Sequence, residues 1–157
     1  MNPISGTTNK AGIPELIAKT LDTNTFDYEI CLTEHAGHAF EIATEAKDNG
    51  VDVVVAVGGD GTVNEVARAI VHSNTALGII PCGSGNGLAR HLMIPMQLKK
   101  AIEVINEYQI HDLDYGIINE HPFFCTCGMG FDAFVSMKFA EAGKRGPITY
   151  AERGTER

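Results

Sequence analysis

The chain has 157 residues, of which 44% are hydrophobic and 20% charged, a composition typical of one globular domain and not of a disordered chain. Its formal net charge of −8 argues against a general nucleic-acid-binding protein. The same charge argues against strong electrostatic docking on anionic lipid, although it does not exclude a local basic patch. No apolar run approaches the length of a membrane span, and the opening residues lack the regions of a signal peptide. We therefore expect a cytoplasmic protein with no nucleic-acid partner.

The apolar pattern predicts strands alternating with helices after a turn-rich opening at residues 2–6. The predicted elements, in order, are helix 14–21, strand 26–32, helix 39–48, strand 53–57, helix 62–71, strand 77–80, helices 88–92 and 98–105, strands 110–118 and 123–127, and a last helix near 131. Such alternation favours an α/β fold with a mostly parallel sheet and helices on both faces. Ligands of these sheets bind beyond the carboxyl ends of the strands.

The first glycine loop is Gly58-Gly59-Asp60-Gly61, which follows a strand of β-branched residues and precedes a helix. This arrangement aims backbone N–H groups and a helix N-terminus at an anion. Thr62 and Glu65 have the spacing of a capping box. The Asp60 carboxylate would repel a phosphate unless a metal ion or a substrate proton lay between them. The alternative is that Asp60 only shapes the turn.

The second glycine loop, Gly83-Ser84-Gly85-Asn86-Gly87, follows the next predicted strand. Its spacing does not match a dinucleotide fingerprint, and no Lys-Ser/Thr pair follows as in a Walker loop. It remains a candidate anion-binding loop that offers the Ser84 hydroxyl and backbone N–H groups, with a plain tight connection as the alternative.

Four further sets of residues leave their roles open. Asn64 and Glu65 have a structural interpretation as helix cap and solvent face. Asp112 and Asp114 would share one face of a strand, where they are either Mg²⁺ ligands or solvated. The basic pair Lys144 and Arg145 either neutralises phosphate or lies on the surface. The four cysteines have no zinc spacing, and we interpret them as reduced structural thiols.

Four motifs then occur in order, and together they resemble a known family. They are Asn2-Pro3-x-Ser5-Gly6, Thr33-Glu34 with Gly37-His38-Ala39, Gly58-Gly59-Asp60-Gly61-Thr62-x-Asn64-Glu65, and Pro81-x-Gly83-Ser84-Gly85-Asn86-x-Leu88-Ala89-Arg90. The sequence is similar to the catalytic domain of the diacylglycerol kinase and sphingosine kinase family, in its bacterial lipid kinase branch. NAD kinases and 6-phosphofructokinases have a similar Gly-Gly-Asp-Gly-Thr segment. The resemblance therefore implies a fold similar to that of their nucleotide-binding domains. The fourth motif favours the lipid kinases.

The resemblance implies ATP-dependent, Mg²⁺-assisted phosphorylation of a lipid hydroxyl, with diacylglycerol or a sphingoid-type alcohol as the acceptor. It places Asp60 at the reacting centre, as a base or as part of a metal or water network. It also makes Asp114 a candidate metal ligand. The nucleotide-binding residues that it implies are Asn2, Ser5, Gly6, Thr33, Gly58, Gly59, Asp60, Gly61, Thr62, Asn64, Gly83, Ser84, Gly85 and Asn86.

The resemblance predicts a nucleotide-binding domain over residues 1–142 and a linker over 143–157, leading to the β-rich C-terminal domain that family members carry. Without that domain we expect weak nucleotide binding and no turnover. The expected partner is a lipid substrate at a membrane surface, reached by peripheral association, and a homodimer through an exposed sheet edge is left open. Two alternatives remain: an NAD kinase-like enzyme with a soluble acceptor, and a non-catalytic nucleotide-binding regulatory domain.

Overall fold

The structure is a computed structural model that describes residue 1, residues 11–127 and residue 133. Its helices and strands, in chain order, are α1 (Ile13–Thr20), α2 (His38–Asp48), β1 (Val53–Gly58), α3 (Asp60–Ile70), β2 (Ala76–Pro81), α4 (Gly87–His91), α5 (Leu98–Glu107), β3 (Gly116–Ile118) and β4 (His121–Phe123). The helix predicted near 131 and the predicted linker over 143–157 lie outside the described residues.

The centre of the fold is a parallel pair of strands, β1 and β2, in which Val53 aligns with Ala76 and Gly58 with Pro81. The two strands therefore end level with each other. The Cys82 N–H donates to the Gly58 carbonyl oxygen at 2.8 Å and extends the pairing by one residue. Because parallel strands share their carboxyl edge, both glycine loops emerge side by side at that edge.

Side chains of this sheet alternate between two apolar layers, as the period of a strand requires. Ala56 and Ile79 face the layer formed with α2 and α3, whereas Val57 and Ile80 face the layer formed with α1 and α5. Helices thus cover both faces of the sheet, and the predicted fold class is confirmed. Apart from Leu77 and Pro81, the residues of the two strands are β-branched or small, which is typical of strands buried on both faces.

The strand predicted over 26–32 is wrong, since the structure describes no regular element there. Among the described residues, the Phe26 N–H donates to the nearby Asp22 carbonyl oxygen at 3.0 Å. The long-range bonds at the end of the segment involve Met1: its amino group donates to the Cys31 carbonyl oxygen, and the Thr33 N–H donates to the Met1 carbonyl oxygen at 3.0 Å. A strand requires a run of such bonds, and an aromatic and aliphatic composition alone does not supply the partner.

The β3–β4 hairpin is shorter than the two strands predicted at this place. Its turn is Asn119-Glu120, and both residues have positive φ values, 46° and 67°, which two-residue hairpins of the favoured type require. Asp112 and Asp114 precede β3 in exposed, irregular chain. The strand that would have placed their carboxylates on one face does not form, so this argument for a shared metal site fails.

The four cysteines are all free thiols, in agreement with their interpretation as reduced. Cys82 is buried at the start of the second glycine loop, and Cys31 is half-buried. Burial raises the pKa of the Cys31 thiol above its ordinary value, and the neighbouring Glu29 carboxylate adds to the shift. A raised pKa keeps Cys31 in its unreactive thiol form.

Candidate functional site

The two glycine loops touch backbone to backbone at Gly59 and Gly83. A Cβ atom built on Gly83 would lie 2.5 Å from the Gly59 Cα, and one on Gly59 would lie 3.1 Å from the Gly83 Cα. No side chain fits at Gly83 without moving the main chain of the other loop. The absence of a Cβ at this contact is therefore what allows the loops to form one continuous surface.

Helix α3 begins in the first loop, with Gly59 as its N-cap residue and no side chain as its cap. The capping box predicted for Thr62 and Glu65 is therefore wrong. Thr62 is buried instead, and its side chain covers Gly58, where a Cβ would lie 2.4 Å from the Thr62 Oγ1. A helix that starts without a side-chain cap at a glycine loop presents the positive end of its dipole to a ligand.

Asp60 joins the two loops. Its Oδ2 accepts the Asn86 N–H at 2.9 Å, and its Oδ1 accepts the Gly87 N–H at 2.6 Å. A Cβ on Gly85 would lie 2.7 Å from Oδ2, so that glycine makes room for the carboxylate. Asp60 is exposed, and within the described residues no ion pair occupies it. The carboxylate thus shapes the second loop while remaining open to a ligand.

Asn86 braces the second loop with its side chain. It adopts a left-handed conformation and is 8% exposed. Its Oδ1 accepts the Gly83 N–H at 2.8 Å, and its Nδ2 donates to the Gly83 carbonyl oxygen at 2.7 Å. These bonds occupy the amide, so we expect Asn86 to support the loop more than to contact a nucleotide. Ser84, by contrast, is exposed and forms no side-chain hydrogen bond within the described residues.

Thr33 is the other predicted nucleotide-binding hydroxyl in the described part of the chain. Its side chain is largely buried, yet the hydroxyl forms no hydrogen bond there. A contact between Thr33 and a nucleotide therefore stays a prediction. Asn2, Ser5 and Gly6 lie outside the described residues and stay predictions.

A cavity of about 520 Å³ opens beside Asp60, between α3, the second loop and the β3–β4 hairpin. Its apolar walls are Val63, Leu88, Ile118, Pro122, Phe123 and Phe124, and its polar groups include Asp60, Asn64, Arg68 and His121. Asp114 is exposed and does not line this cavity. Sequence reasoning missed the hairpin as part of the site, because no local pattern shows against which helix a hairpin will fold.

Glu65 caps a different helix from the one that sequence spacing suggested. Its two carboxylate oxygens accept the N–H groups of Gly37 and Ala39, at 3.1 and 3.2 Å, at the N-terminus of α2. One helical turn further along α3, the Arg68 guanidinium lies over the Phe40 ring at 5.9 Å from its centroid. The segment that leads from Thr33 into α2 is therefore fixed to the helix that begins at Asp60.

Replacing Glu65 by alanine should lower the free energy of unfolding by about 1–3 kcal/mol, because two half-buried N–H groups lose their acceptors. Urea denaturation followed by circular dichroism measures this change. Glu45→Ala is the matched control, since Glu45 lies exposed on α2. Equal stability of the two variants would show that the hydrogen bonds of Glu65 make no net contribution to the free energy of unfolding.

One group of potential metal ligands occurs among the described residues: His35, His38 and Glu41, with ligand atoms within 4.8 Å of one another. The two imidazole rings stack in parallel, with centroids 4.5 Å apart and planes 6° apart. Parallel stacked rings do not direct two lone pairs at one ion. In addition, the His38 Nδ1 accepts the Glu34 N–H at 3.0 Å. We interpret this group as local packing, and Asp60 is not part of it.

Comparison with known proteins defines the class to which this fold and site belong. The sequence model of the family named diacylglycerol kinase catalytic domain matches residues 1–118 of this chain. The chain therefore belongs to that family. A crystal structure of a diacylglycerol kinase from Bacillus anthracis strain Sterne superposes with a TM-score of 0.66 at 26% identity, covering 78% of this chain and 45% of that one. The predicted resemblance is confirmed, whereas the predicted domain boundary at 142 stays a prediction.

Individual relatives agree with the family. A diacylglycerol kinase of Staphylococcus saprophyticus is 34% identical over 160 residues, which cover 99% of this chain and 52% of the relative. A diacylglycerol kinase of Staphylococcus aureus strain MRSA252 is 33% identical with 99% and 50% coverage. A protein named probable lipid kinase YegS-like from Cronobacter sakazakii is 32% identical over 65% of this chain and 36% of its own length. The chain spans about half the length of the diacylglycerol kinases it matches.

Proposed function

We propose that this chain is the ATP-binding half of a lipid kinase, which transfers the γ-phosphoryl group of ATP to a lipid hydroxyl. The observation that carries the proposal is the junction of the two glycine loops. Gly59 and Gly83 touch there, and the Asp60 carboxylate spans the junction beside an apolar cavity. A triphosphate on the loops and a hydroxyl in the cavity would meet at Asp60.

The loop side of this junction suits a polyphosphate. Helix α3 begins without a side-chain cap, and the exposed Ser84 offers a hydroxyl that forms no hydrogen bond within the described residues. Mg²⁺ would neutralise the charge on the phosphoryl group during transfer. This ion commonly binds through one or two carboxylates together with substrate phosphates, and Asp60 supplies one carboxylate at this edge. The donor set at the edge therefore fits Mg²⁺-ATP.

The cavity side of the junction suits an acceptor with an apolar body. Val63, Leu88 and Phe124 line it, while Asp60 and Asn64 supply polar atoms where an acceptor hydroxyl would reach the loops. A dinucleotide acceptor would require several polar partners around its ribose and phosphates. The apolar walls therefore favour a lipid over the NAD kinase-like alternative, and diacylglycerol is the acceptor that the relatives' names suggest.

The two N–H donors fix the orientation of the Asp60 carboxylate. Each oxygen accepts one bond and keeps a second lone pair for the acceptor hydroxyl, or for Mg²⁺. A carboxylate held in this way would position the acceptor hydroxyl and take its proton as the hydroxyl oxygen bonds to the γ-phosphorus and the bond from that phosphorus to the β–γ bridging oxygen breaks, which releases ADP. Rotation of the carboxylate would break both hydrogen bonds from the backbone, so its orientation is fixed before a substrate binds.

The nucleotide site is tested by Gly61→Ala, because a Cβ at Gly61 meets no protein atom within 4 Å. We expect unchanged stability and an ATP affinity that is at least about tenfold weaker, since the new methyl group enters the space proposed for phosphate. Isothermal titration of the chain with Mg²⁺-ATP measures the affinity. Gly12→Ala is the control, since a Cβ there also meets no atom. Equal affinity of both variants would contradict the proposed phosphate site.

The acceptor is tested by offering the protein dispersed diacylglycerol, a sphingoid base or NAD, each with radiolabelled ATP. Transfer of label to diacylglycerol supports the proposal, whereas label on NAD supports the alternative enzyme. Nucleotide binding with no transfer to any acceptor would favour the regulatory domain or the expectation that the chain does not turn over alone. Adding, as a separate chain, the part of a relative that this chain does not span distinguishes these two outcomes, since only a kinase would then transfer label.

A further inference from the structure

One hydrogen bond joins the β3–β4 hairpin to the C-terminal end of α3. The Oη of Tyr115, the residue before β3, lies 2.7 Å from the Nε2 of His72, the second residue after α3, and either group can be the donor. The two rings meet edge to face, with centroids 5.7 Å apart. His72 has a φ of 58°, in the left-handed region that histidine adopts more often than most residues. The bond therefore links segments that are 43 residues apart in the sequence.

Tyr115 also supports the apolar wall that the hairpin gives to the cavity. Its ring stacks on the Phe124 ring with centroids 5.6 Å apart, and Phe124 both lines the cavity and packs against the layer of α2 and α3. The Phe123 ring, another part of the wall, covers Gly116, where a Cβ would overlap it. Tyr115 thus contacts the end of α3 through His72 and the cavity wall through Phe124.

The other contacts between the hairpin and the rest of the described chain are packing contacts. Within that part of the chain, residues 115–125 form no ion pair and no second hydrogen bond with other segments. The Cys125 Sγ, for example, packs beside the second loop, 3.0 Å from where a Cβ on Gly87 would lie. Apolar packing is not directional, whereas a hydrogen bond fixes a distance and an angle. The bond between Tyr115 and His72 therefore fixes the position of the hairpin relative to α3.

We propose that Tyr115 and His72 are positioning residues for the acceptor, because their hydrogen bond sets the width of the cavity between α3 and the hairpin. The inference rests on the proposed function, in which the apolar body of the acceptor occupies this cavity. Neither side chain lines the cavity, so both act through Phe124 and the wall around it. A gap of about 0.5–1 Å between apolar groups removes a quarter to a half of their attraction. Release of the hairpin would therefore weaken acceptor binding, whereas the nucleotide site proposed on the glycine loops includes neither residue.

Isothermal titration with an acceptor and, separately, with Mg²⁺-ATP tests the inference without requiring turnover. No helix among the described residues is long and apolar enough to span a membrane. The acceptor used is dioctanoylglycerol, a short-chain diacylglycerol that disperses without a bilayer. Tyr115→Phe removes the hydroxyl and keeps the ring that stacks on Phe124. We expect its affinity for dioctanoylglycerol to fall about three- to tenfold and its affinity for Mg²⁺-ATP to stay unchanged.

Substitutions of His72 test the other side of the same bond. His72→Asn should weaken acceptor binding as Tyr115→Phe does, because asparagine tolerates the left-handed backbone but is too short to reach the hydroxyl. His72→Gln should keep the affinity of the wild type, since its longer amide can reach the position of Nε2. The combination of Tyr115→Phe with His72→Asn should lose no more than either variant alone, because both remove one shared bond.

Two controls separate positioning from a general loss of stability. Tyr28→Phe removes the hydroxyl of an exposed tyrosine that forms no side-chain hydrogen bond within the described residues. Asn106→Ala removes two hydrogen bonds, to the Thr20 carbonyl oxygen and from the Asp22 N–H, at the ends of α1 and α5 and away from the cavity. Both controls should bind dioctanoylglycerol like the wild type.

The outcomes distinguish a failure of this inference from a failure of the proposed function. The inference is overturned by unchanged acceptor affinity in Tyr115→Phe, by additive losses in the combined variant, or by an equal loss in Asn106→Ala or in the affinity for Mg²⁺-ATP. Each of these results leaves the lipid kinase proposal standing. If the wild-type chain binds Mg²⁺-ATP but no dioctanoylglycerol, the acceptor cavity itself is wrong and the inference fails with it.

Discussion

Replacing Asp60 by asparagine should lower the rate of lipid phosphorylation by about 10²–10⁴-fold and, in addition, loosen the second glycine loop. Asparagine offers one acceptor oxygen and one NH₂ donor where the carboxylate offers two acceptors. At this site both oxygens accept backbone N–H groups, from Asn86 and Gly87. The new NH₂ group would therefore face one of these donors, so we expect weaker ATP binding together with the loss of rate.

Two measurements separate the chemical role of Asp60 from its role in the loop. Hydrogen exchange at the Asn86 and Gly87 amides reports how often the loop opens. The values of kcat and of KM for ATP report the effect on the reaction, and they are measured under conditions in which the wild-type protein turns over. Asp27→Asn is the matched control, since Asp27 is exposed and loses the same charge. Full activity of Asp60→Asn would remove Asp60 from the mechanism. Unchanged amide exchange would show that the carboxylate does not hold the loop.

Replacing Gly83 by alanine should abolish ATP binding and lower the free energy of unfolding by about 1–3 kcal/mol. The added Cβ would lie 2.5 Å from the Gly59 Cα and 2.8 Å from the Asn86 Oδ1. Relief of these contacts requires the two loops to separate, since the first of them involves main chain. Separation would also draw the Asn86 N–H away from Asp60.

The comparison with Gly61→Ala makes this second experiment decisive. Both variants add one methyl group to the glycine loops, but only the one at Gly83 meets protein atoms. We therefore expect the Gly61 variant to lose affinity alone and the Gly83 variant to lose affinity and stability together. Thermal unfolding with and without Mg²⁺-ATP measures both quantities. A Gly83→Ala protein that binds ATP normally would show that contact between the loops is not needed.

If Asp60 has the chemical role proposed for it, one substitution cannot alter that role and its structural role separately. The same two bonds that orient its carboxylate also hold the N-terminus of α4. Movement of the second loop would therefore change the position of the acid.

Local sequence patterns predicted most of the fold around the site. The run of Val53–Gly58 and the glycines after it predicted β1 and the start of α3, because a doubly buried strand has a recognisable composition. Asn49-Gly50 correctly predicted the end of α2, where Gly50 has a φ of 74°. The order of strands and helices gave the fold class, and the four motifs gave the family.

The sequence by itself therefore determined the α/β fold, the two glycine loops and the candidate acid, because these depend on residues that are close along the chain. Only the tertiary structure decided what those residues contact. Glu65 has capping-box spacing with Thr62, yet it accepts N–H groups from α2, and Asp60 accepts N–H groups from a loop more than twenty residues away. The hairpin that completes the cavity is likewise placed by packing against α3. Hydrogen-bond partners and cavity walls depend on which surfaces meet in three dimensions, and spacing along the chain does not specify that.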